Sequence, residues 1–414
     1  MRHCKPCRRS RMAFLPASRR GHINFGHFNF HLDAPFREAC RTIASERSAC
    51  GPSARLSKVK SSMSVDQELP AMAHEPKHGS RGDDTDHPAG TIVTISGRSL
   101  QPNSGIPLDL HWVREMQANT SAIERRVQSQ VARRSVKKEW QAAWLLRAIT
   151  CMDLTTLSGD DTDDRVRRLC AKAQRPIQSD LVRKLGIEEL DVKVAAVCVY
   201  HAFIETALRA LEGTGVRVAA VSTGFPAGLS PLTERVAEIR RSVEAGAHEI
   251  DVVITRGYVF GGRWQALYDE VAAFKQACGS AHMKVILGTG DLLTLRNVAR
   301  ASMVAMMAGA DFIKTSTGKE PTNATLPVGL VMTRAIREYA LQTGMGVGFK
   351  AAGGLRTAKQ STDWLAMMKE ELGLSWTSAE LFRFGASSLL ADIERQLEHH
   401  ATGRYSAEYR HPMA

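Results

Sequence analysis

The sequence predicts a (β/α)8 barrel, preceded by a few helices and a basic N-terminal extension. Two observations support this fold class. Short apolar segments alternate eight times with amphipathic helical segments, a pattern typical of a parallel sheet covered by helices. Eight such repeats within about 250 residues fit a closed barrel better than an open sheet. The first apolar segment, which ends at Leu154, is also not followed by the glycine-rich turn of nucleotide-binding open sheets.

The eight apolar segments are short, as expected for strands that are buried on both faces. Ser230 followed by Pro231 predicts a helix start, and Gly246 and Gly309 fall where helices are expected to end. The strands are predicted at residues 149–154, 194–200, 216–223, 249–254, 283–287, 312–316, 346–350 and 381–384.

The chain before the first strand has a different character. Residues 64–105 are polar and rich in Pro, Gly, Asp, His and Ser, without sustained periodicity, which predicts a linker. Ser121 and Glu124 form a capping-box pattern at a helix start, and a second helix is predicted over 136–148. We therefore predict a disordered basic extension and linker (1–105), N-terminal helices (106–148), the barrel (149–400) and a C-terminal tail (401–414).

The net charge of +12 belongs to the extension. Residues 1–62 hold 13 Lys/Arg and 3 Asp/Glu, a net charge of +10, which leaves +2 for residues 63–414. A short basic segment is typical of a solvated tail. We therefore expect no nucleic-acid partner, and because no apolar run approaches the ~18 residues of a membrane span, no membrane partner either. The sequence is compatible with a homo-oligomer.

The N-terminus leaves two interpretations of the location open. The first 32 residues contain seven Lys/Arg and no Asp/Glu, a composition compatible with a mitochondrial transit peptide. However, Pro16 and Gly21 interrupt the amphipathic helix that such a peptide needs, and Met63 opens a more ordinary protein start. We favour a cytoplasmic location and keep the mitochondrion as the alternative.

The cysteines predict reduced thiols and no metal site. Cys4 and Cys7 form a lone CxxC without a second pair at metal-site spacing. No cluster of His, Cys, Asp and Glu has the spacing of a metal site, so we expect neither metal nor cofactor. The cysteines of the main domain are scattered in apolar or helical contexts, which suits a reducing compartment. They are Cys151, Cys170, Cys198 and Cys278.

Charged residues lie at the ends of several predicted strands, where (β/α)8 barrels build their active sites. Asp153 ends the first strand, Asp251 lies within the fourth, and Lys314 and Lys350 lie in the sixth and seventh. Side chains alternate between the two faces of a strand. Asp251 therefore faces the barrel interior if its apolar neighbours pack against the helices.

Lys314 and Lys350 are expected to be neighbours, because adjacent strands lie about 4.8 Å apart. Two ammonium groups this close repel each other, so the pKa of one should fall. A lysine that is a free amine near neutral pH is a nucleophile toward a carbonyl carbon. In the alternative interpretation, both lysines pair with Asp153 and Asp251 in a purely structural ion-pair cluster.

Glycine and serine residues after the seventh and eighth strands predict a phosphate site, since barrels often bind phosphate at these loops. Gly318 and Lys319 do not form a nucleotide-binding phosphate loop, because Ile313 and Glu320 replace residues that the motif requires. Alternatively, each glycine is only a turn residue and the serine a helix cap. The predicted phosphate-binding residues are Gly318, Lys319, Gly353, Gly354, Gly385, Ser387 and Ser388. A phosphorylated carbonyl compound and an amine nucleophile together indicate a metal-free aldolase.

The same residues resemble the deoxyribose-phosphate aldolase family, and its animal branch in particular. The matching motifs follow in order and spacing at residues 153–156, 249–253, 311–319, 348–354 and 384–388, within a resemblance that begins near Leu108. The resemblance implies reversible cleavage of 2-deoxy-D-ribose 5-phosphate to D-glyceraldehyde 3-phosphate and acetaldehyde, in deoxynucleoside breakdown. It implies that Lys314 forms the Schiff base, that Lys350 lowers its pKa, that Asp251 transfers protons, and that Asp153 supports them.

Some positions depart from the family pattern. Ala351 and His201 stand where the family has proline, and Gly288 where bacterial members have Glu. Some bacterial members also use a C-terminal tyrosine, a role that stays unassigned here, although Tyr405 and Tyr409 lie near the C-terminus. Two rival functions stay open. One is a Schiff-base barrel enzyme acting on longer keto-sugar phosphates, and the other a weakly catalytic barrel whose basic extension binds partners.

Overall fold

The computed structural model describes residues 93–95 and 98–413, so the predictions made for residues 1–92 lie outside the described part of the chain. In chain order the strands are β1 (Val93–Ile95), β2 (Arg98–Pro102), β3 (Met152–Thr155), β4 (Ala196–Tyr200), β5 (Arg217–Ser222), β6 (Glu249–Val253), β7 (His282–Ile286), β8 (Phe312–Lys314), β9 (Met345–Gly346), β10 (Gly348–Ala352) and β11 (Phe382–Ala386).

Thirteen α-helices connect and cover these strands in the described part of the chain. They are α1 (Leu110–Glu115), α2 (Thr120–Arg133), α3 (Lys138–Thr150), α4 (Asp163–Gln174), α5 (Ser179–Leu185), α6 (Ile204–Leu211), α7 (Leu232–Glu244), α8 (Arg256–Phe260), α9 (Trp264–Cys278), α10 (Leu295–Met307), α11 (Leu326–Thr343), α12 (Ala358–Leu372) and α13 (Ser388–Thr402). None of the helices described is long and apolar enough to cross a membrane.

The predicted barrel is confirmed. Eight parallel strands close in the spatial order β10-β11-β3-β4-β5-β6-β7-β8, and each predicted segment overlaps one of them. The first strand starts three residues later than predicted, because Ile149 and Thr150 belong to the end of α3. The outward faces of the strands pack on the helices: Ile250, Val252 and Ile254 are fully buried in the main apolar core.

The two helix ends that were predicted from glycines are confirmed. Gly246 and Gly309 follow α7 and α10 with φ of 96° and 93°, a left-handed conformation that glycine adopts without strain. Predicted side-chain caps were wrong. Helix α2 begins at Thr120, where the side chain of Asn119 accepts the Ala122 N–H at 3.0 Å. Asparagine caps a helix as well as serine does, so Ser121 lies inside the helix instead of starting it.

The second predicted cap was wrong as well. Helix α7 starts at Leu232, and Pro231 occupies the N-cap position without a side-chain hydrogen bond. Ser230 therefore does not cap this helix.

The ordered fold begins earlier than the predicted boundary at residue 105. Strands β1 and β2 form an antiparallel pair, and β2 also pairs in parallel with β9. The buried side chain of Asn103 donates to the carbonyl oxygens of Met306 and Ala310, both at 2.9 Å, and accepts from the Tyr339 hydroxyl at 2.9 Å. Strand β2 is short and pairs with β9, which lies far away in the sequence. Such a strand shows no sustained periodicity, so the sequence pattern did not reveal it.

The four described cysteines are buried, as predicted, and none of them forms a disulfide. They lie in β4, in helices α4 and α9, and at the end of α3.

Candidate active site

The barrel brings the two predicted lysines side by side. Lys314 of β8 and Lys350 of β10 are register partners, so their predicted adjacency is confirmed. Asp251 of β6 faces the same interior, as strand periodicity predicted, and is the partner of Lys284 on β7. Side chains from four neighbouring strands therefore meet inside the barrel.

Asp251 is the centre of this meeting point. Its Oδ2 accepts hydrogen bonds from Lys314 Nζ at 2.6 Å and from Lys350 Nζ at 2.8 Å, while Oδ1 accepts from Lys284 Nζ at 3.0 Å. Three of these four side chains have no exposed surface, and that of Lys314 is 3% exposed. One carboxylate oxygen thus contacts both lysines that the sequence selected.

Two more carboxylates and an arginine complete the group. Asp153 accepts from Lys350 Nζ at 2.5 Å and from Arg383 at 2.6 Å. Glu249 accepts from Arg383 at 2.8 Å and from Lys284. We call these seven side chains the barrel charge cluster: Asp153, Glu249, Asp251, Lys284, Lys314, Lys350 and Arg383. Within the described residues it holds three acidic and four basic groups, so its charges balance when one basic group is neutral.

Lys314 is the basic group with the lowered pKa. Burial disfavours its ammonium form, repulsion from Lys350 adds to this effect, and the attraction of Asp251 only partly opposes it. Burial also acts to lower the pKa of Lys350, but Asp153 and Asp251 outweigh it and raise that pKa above its ordinary value. The direction for Lys314 agrees with the sequence-based expectation, although burial contributes more than the neighbouring ammonium.

The three carboxylates are held in their charged form. Burial acts to raise the pKa of Asp251, but Lys284, Lys314 and Lys350 overcome this and keep it well below its usual value. The pKa of Glu249 is lowered in the same way by Arg383 and Lys284. The ion pairs expected of a purely structural cluster are therefore present. A role in chemistry requires in addition that one member of the cluster can contact a ligand.

Lys314 does reach a cavity of about 460 Å³ at the C-terminal end of the barrel. Lys350 and Asp251 are fully buried and do not line it. All seven predicted phosphate-binding residues line this same cavity: Gly318, Lys319, Gly353, Gly354, Gly385, Ser387 and Ser388. The structure therefore joins the nucleophile candidate and the predicted phosphate residues in one space.

Two of the glycines at this cavity have a steric requirement. Gly353 has φ of 81°, and a Cβ there would lie 2.6 Å from the side chain of Asn323. A Cβ at Gly385 would lie 2.9 Å from that of Ala352 and 3.2 Å from Cε of Lys350. The alternative interpretation of Ser387 as a helix cap is confirmed in position only, since Ser387 occupies the N-cap of α13 but makes no side-chain capping bond there.

Sequence reasoning missed Glu249, Lys284 and Arg383. Lys284 and Arg383 are charged residues inside largely apolar strands, and Glu249 begins the strand that carries Asp251, which was the available signal. It also missed Arg165 and Arg356, two further cations that line the cavity.

The structure shows the surroundings of the three residues that depart from the family pattern. Ala351 is buried in the apolar core, and the largely exposed ring of His201 lies 3.6 Å from Glu238. At Gly288, where φ is 67°, a Cβ would lie 2.7 Å from Cδ of Arg256.

Neither tyrosine of the tail lies at the cavity. Tyr405 and Tyr409 are 62% and 83% exposed, whereas Met413 lines the cavity. A part in proton transfer, which the sequence left unassigned, therefore finds no support in the geometry for either tyrosine. Among the described residues, no group of three or more His, Cys, Asp and Glu is arranged to hold a metal ion.

A buried lysine with a lowered pKa at the end of a barrel strand, facing a cavity with basic and glycine-rich walls, defines a Schiff-base aldolase barrel. The profile of the "DeoC/LacD family aldolase" matches residues 147–394. The chain belongs to this family of aldolases.

Curated relatives support the same conclusion. A deoxyribose-phosphate aldolase of Mus musculus is 59% identical over 312 residues, covering 75% of this chain and 98% of its own. That of Homo sapiens is 57% identical over 314 residues, covering 75% and 99%. A solved structure of a putative deoxyribose-phosphate aldolase from Toxoplasma gondii superimposes with a TM-score of 0.55 at 21% identity, covering 65% of this chain and 97% of its own, and supports the fold.

Proposed function

We propose that this protein reversibly cleaves 2-deoxy-D-ribose 5-phosphate to D-glyceraldehyde 3-phosphate and acetaldehyde. One observation supports this most directly. Of the barrel charge cluster, Lys314 is the member that lines the cavity, and it is also the lysine whose pKa is lowered. The relatives named deoxyribose-phosphate aldolase supply the identity of the sugar.

In the cleavage direction, the free amine of Lys314 adds to the C1 aldehyde of the open-chain sugar. Loss of water gives an iminium ion. Removal of the C3 hydroxyl proton then breaks the C2–C3 bond, releases glyceraldehyde 3-phosphate, and leaves the electron pair in an enamine on Lys314. Protonation of C2 and hydrolysis of the iminium release acetaldehyde and restore the amine.

The proton transfers fall to Asp251 and Lys350. Both lysines contact the same oxygen, Oδ2 of Asp251. A proton can therefore pass between Lys314 and Lys350 through a single atom. Because the pKa of Lys350 is raised, Lys350 keeps its proton while Lys314 is free to react.

The phosphate of the substrate is proposed to bind at the opposite wall of the cavity. Helix α13 begins at Ser388, which lines the cavity, and the free backbone amides at a helix N-terminus favour binding of an anion. The ammonium of Lys319 adds positive charge. Gly353, Gly354, Gly385 and Ser387 complete the wall, where small residues let the backbone approach the phosphate.

Borohydride reduction in the presence of deoxyribose 5-phosphate, followed by peptide mass mapping, tests the mechanism. We expect a reduced adduct on Lys314 and none in Lys314→Ala, which should also lose turnover. Because alanine cannot form the Schiff base, no residual adduct should map to the same peptide. An adduct on Lys350 or Lys284 would refute the proposed nucleophile. Activity on longer keto-sugar phosphates and none on deoxyribose 5-phosphate would support the rival aldolase instead.

We also propose a cytoplasmic location, without a nucleic-acid partner. The four described cysteines are buried and form no disulfide, as suits a reducing compartment, and the excess positive charge lies in residues 1–62. A homo-oligomer is a further proposal, to be tested by sedimentation. N-terminal sequencing of the endogenous protein distinguishes a mature chain that retains this segment from one that a transit-peptide protease has shortened.

A further inference from the structure

One carboxylate next to the proposed phosphate site takes no part in the reaction. Glu320 follows Lys319 in the loop between β8 and α11. Its Oε2 accepts the backbone N–H of Thr317 at 3.0 Å, the backbone N–H of Gly318 at 3.1 Å, and the Thr317 hydroxyl at 2.7 Å. Three donors of a short loop therefore converge on one side chain, which we call the Glu320 clamp.

The clamp acts on the cavity through the loop. Thr317, Gly318 and Lys319 line the cavity, whereas Glu320 is not among the lining residues. The Thr317 hydroxyl, while it donates to Glu320, also accepts the backbone N–H of Lys319 at 3.1 Å. Glu320 thereby fixes the backbone that carries the Lys319 ammonium.

The clamped loop is also joined to the loop after β10. The side-chain amide of Asn323 donates to the carbonyl oxygen of Glu320 at 2.7 Å, and Ala324 N–H donates to the carbonyl oxygen of Gly353 at 3.3 Å. Asn323 lies so close to Gly353 that a Cβ there would clash with it. The two loops that carry Lys319 and Gly353 therefore behave as one unit, with Glu320 at its centre.

We infer that Glu320 is a positioning residue that sets the enzyme's preference for a phosphorylated substrate. This inference rests on the proposed function. A binding site that is held in its bound conformation before the ligand arrives loses less entropy on binding. The Glu320 clamp also changes the interpretation of Gly318, because the backbone N–H of Gly318 already donates to Glu320. Gly318 is therefore needed for its left-handed conformation, with φ of 86°, more than as a hydrogen-bond donor to phosphate.

The preference is measured as the ratio of kcat/KM for 2-deoxyribose 5-phosphate to kcat/KM for unphosphorylated 2-deoxyribose. In Glu320→Ala this ratio should fall about tenfold, mainly through KM for the phosphorylated sugar, because three hydrogen bonds to a charged group are lost. Glu320→Gln keeps an oxygen acceptor and should lie between Ala and the wild type. Inorganic phosphate should inhibit cleavage of 2-deoxyribose more weakly in Glu320→Ala. Glu244→Ala, which removes an exposed carboxylate of α7, is the matched control.

A role confined to folding predicts a different result, since a smaller folded fraction lowers both kcat/KM values equally and leaves the ratio unchanged. That outcome would overturn the inference, as would equal ratios for Glu320→Gln and Glu320→Ala. Borohydride trapping of acetaldehyde on Lys314 separates this test from the proposed function. No adduct in the wild type refutes the function itself, whereas an adduct together with an unchanged ratio in Glu320→Ala refutes only the clamp.

Discussion

The three lysines inside the barrel differ in the number of carboxylates that they meet. Lys284 lies within 4 Å of Asp153, Glu249 and Asp251, and Lys350 pairs with two of these. Among the residues that the structure describes, Lys314 pairs with Asp251 alone. A buried ammonium with fewer anionic neighbours loses its proton more easily, so the environment selects the same lysine that faces the cavity.

Replacing Lys350 by leucine should move the activity to higher pH. The Lys350 ammonium helps to lower the pKa of Lys314, so its removal should raise that pKa. Lys314 reacts as the free amine, which is lost as the pH falls through its pKa. The acid limb of the pH–rate profile should therefore move to higher pH. At a pH below the pKa of Lys314, an increase of that pKa by one lowers the fraction of free amine about tenfold.

The profile is measured on Schiff-base formation with acetaldehyde, trapped by borohydride, so that phosphate binding does not contribute. The control is Lys359→Leu, an exposed lysine that pairs with Asp363. If Lys350→Leu slowed the reaction at every pH without moving the acid limb, coupling between the two lysines would be refuted.

Among the elements, the strands were predictable from sequence and their cross-barrel contacts were not. Strand order along the chain and a side-chain period of two suffice to place Lys314 beside Lys350 and to turn Asp251 inward. Arg383, in contrast, meets Asp153 only because the last strand closes on the first across 230 residues of chain. The Glu320 clamp depends on side-chain bonds to loop amides, which leave no periodicity in the sequence.

The loop after β10 allows a test of the steric argument for glycine. Gly353→Ala must accommodate both a positive φ and a Cβ that lies 2.6 Å from Asn323. We expect KM for deoxyribose 5-phosphate to rise at least about tenfold, because the loop can relieve the clash only by moving away from the Glu320 clamp. Steady-state kinetics with the phosphorylated and the unphosphorylated sugar measure the effect.

Gly344→Ala is the matched control, since Gly344 has φ of 73° and a Cβ added there would meet no atom within 4 Å. It ends helix α11 at a distance from the cavity lining. This variant should lose about 1 kcal/mol of stability while it keeps the KM of the wild type. A wild-type KM in Gly353→Ala as well would contradict the steric argument.

For the whole molecule, the barrel interior holds a charged cluster beside a small apolar group that includes Cys198, Ala219 and Val221, and the main apolar core lies between the strands and the helices. Six of the eight barrel strands contribute to the barrel charge cluster: β3, β6, β7, β8, β10 and β11. Buried charges are tolerated only when they are mutually paired. The pKa of Lys314 is therefore a property of the closed barrel, which no single segment of the sequence carries.

Truncation from the N-terminus should separate stability from catalysis. A chain that lacks residues 1–92 should keep the kcat/KM of the wild type, because the barrel charge cluster and the residues named at the cavity all lie later in the chain. A chain that lacks residues 1–105 also loses the pairing of β2 with β9 and the buried hydrogen bonds of Asn103. Its free energy of unfolding, measured by urea denaturation, should fall by about 2–4 kcal/mol. At urea concentrations below the unfolding transition, kcat/KM should change by less than about twofold, since the cavity residues are intact. Asn103→Ala in the full chain should reproduce part of the loss. An equal loss of stability on removing residues 1–92 alone would contradict the assignment of this loss to β2 and Asn103.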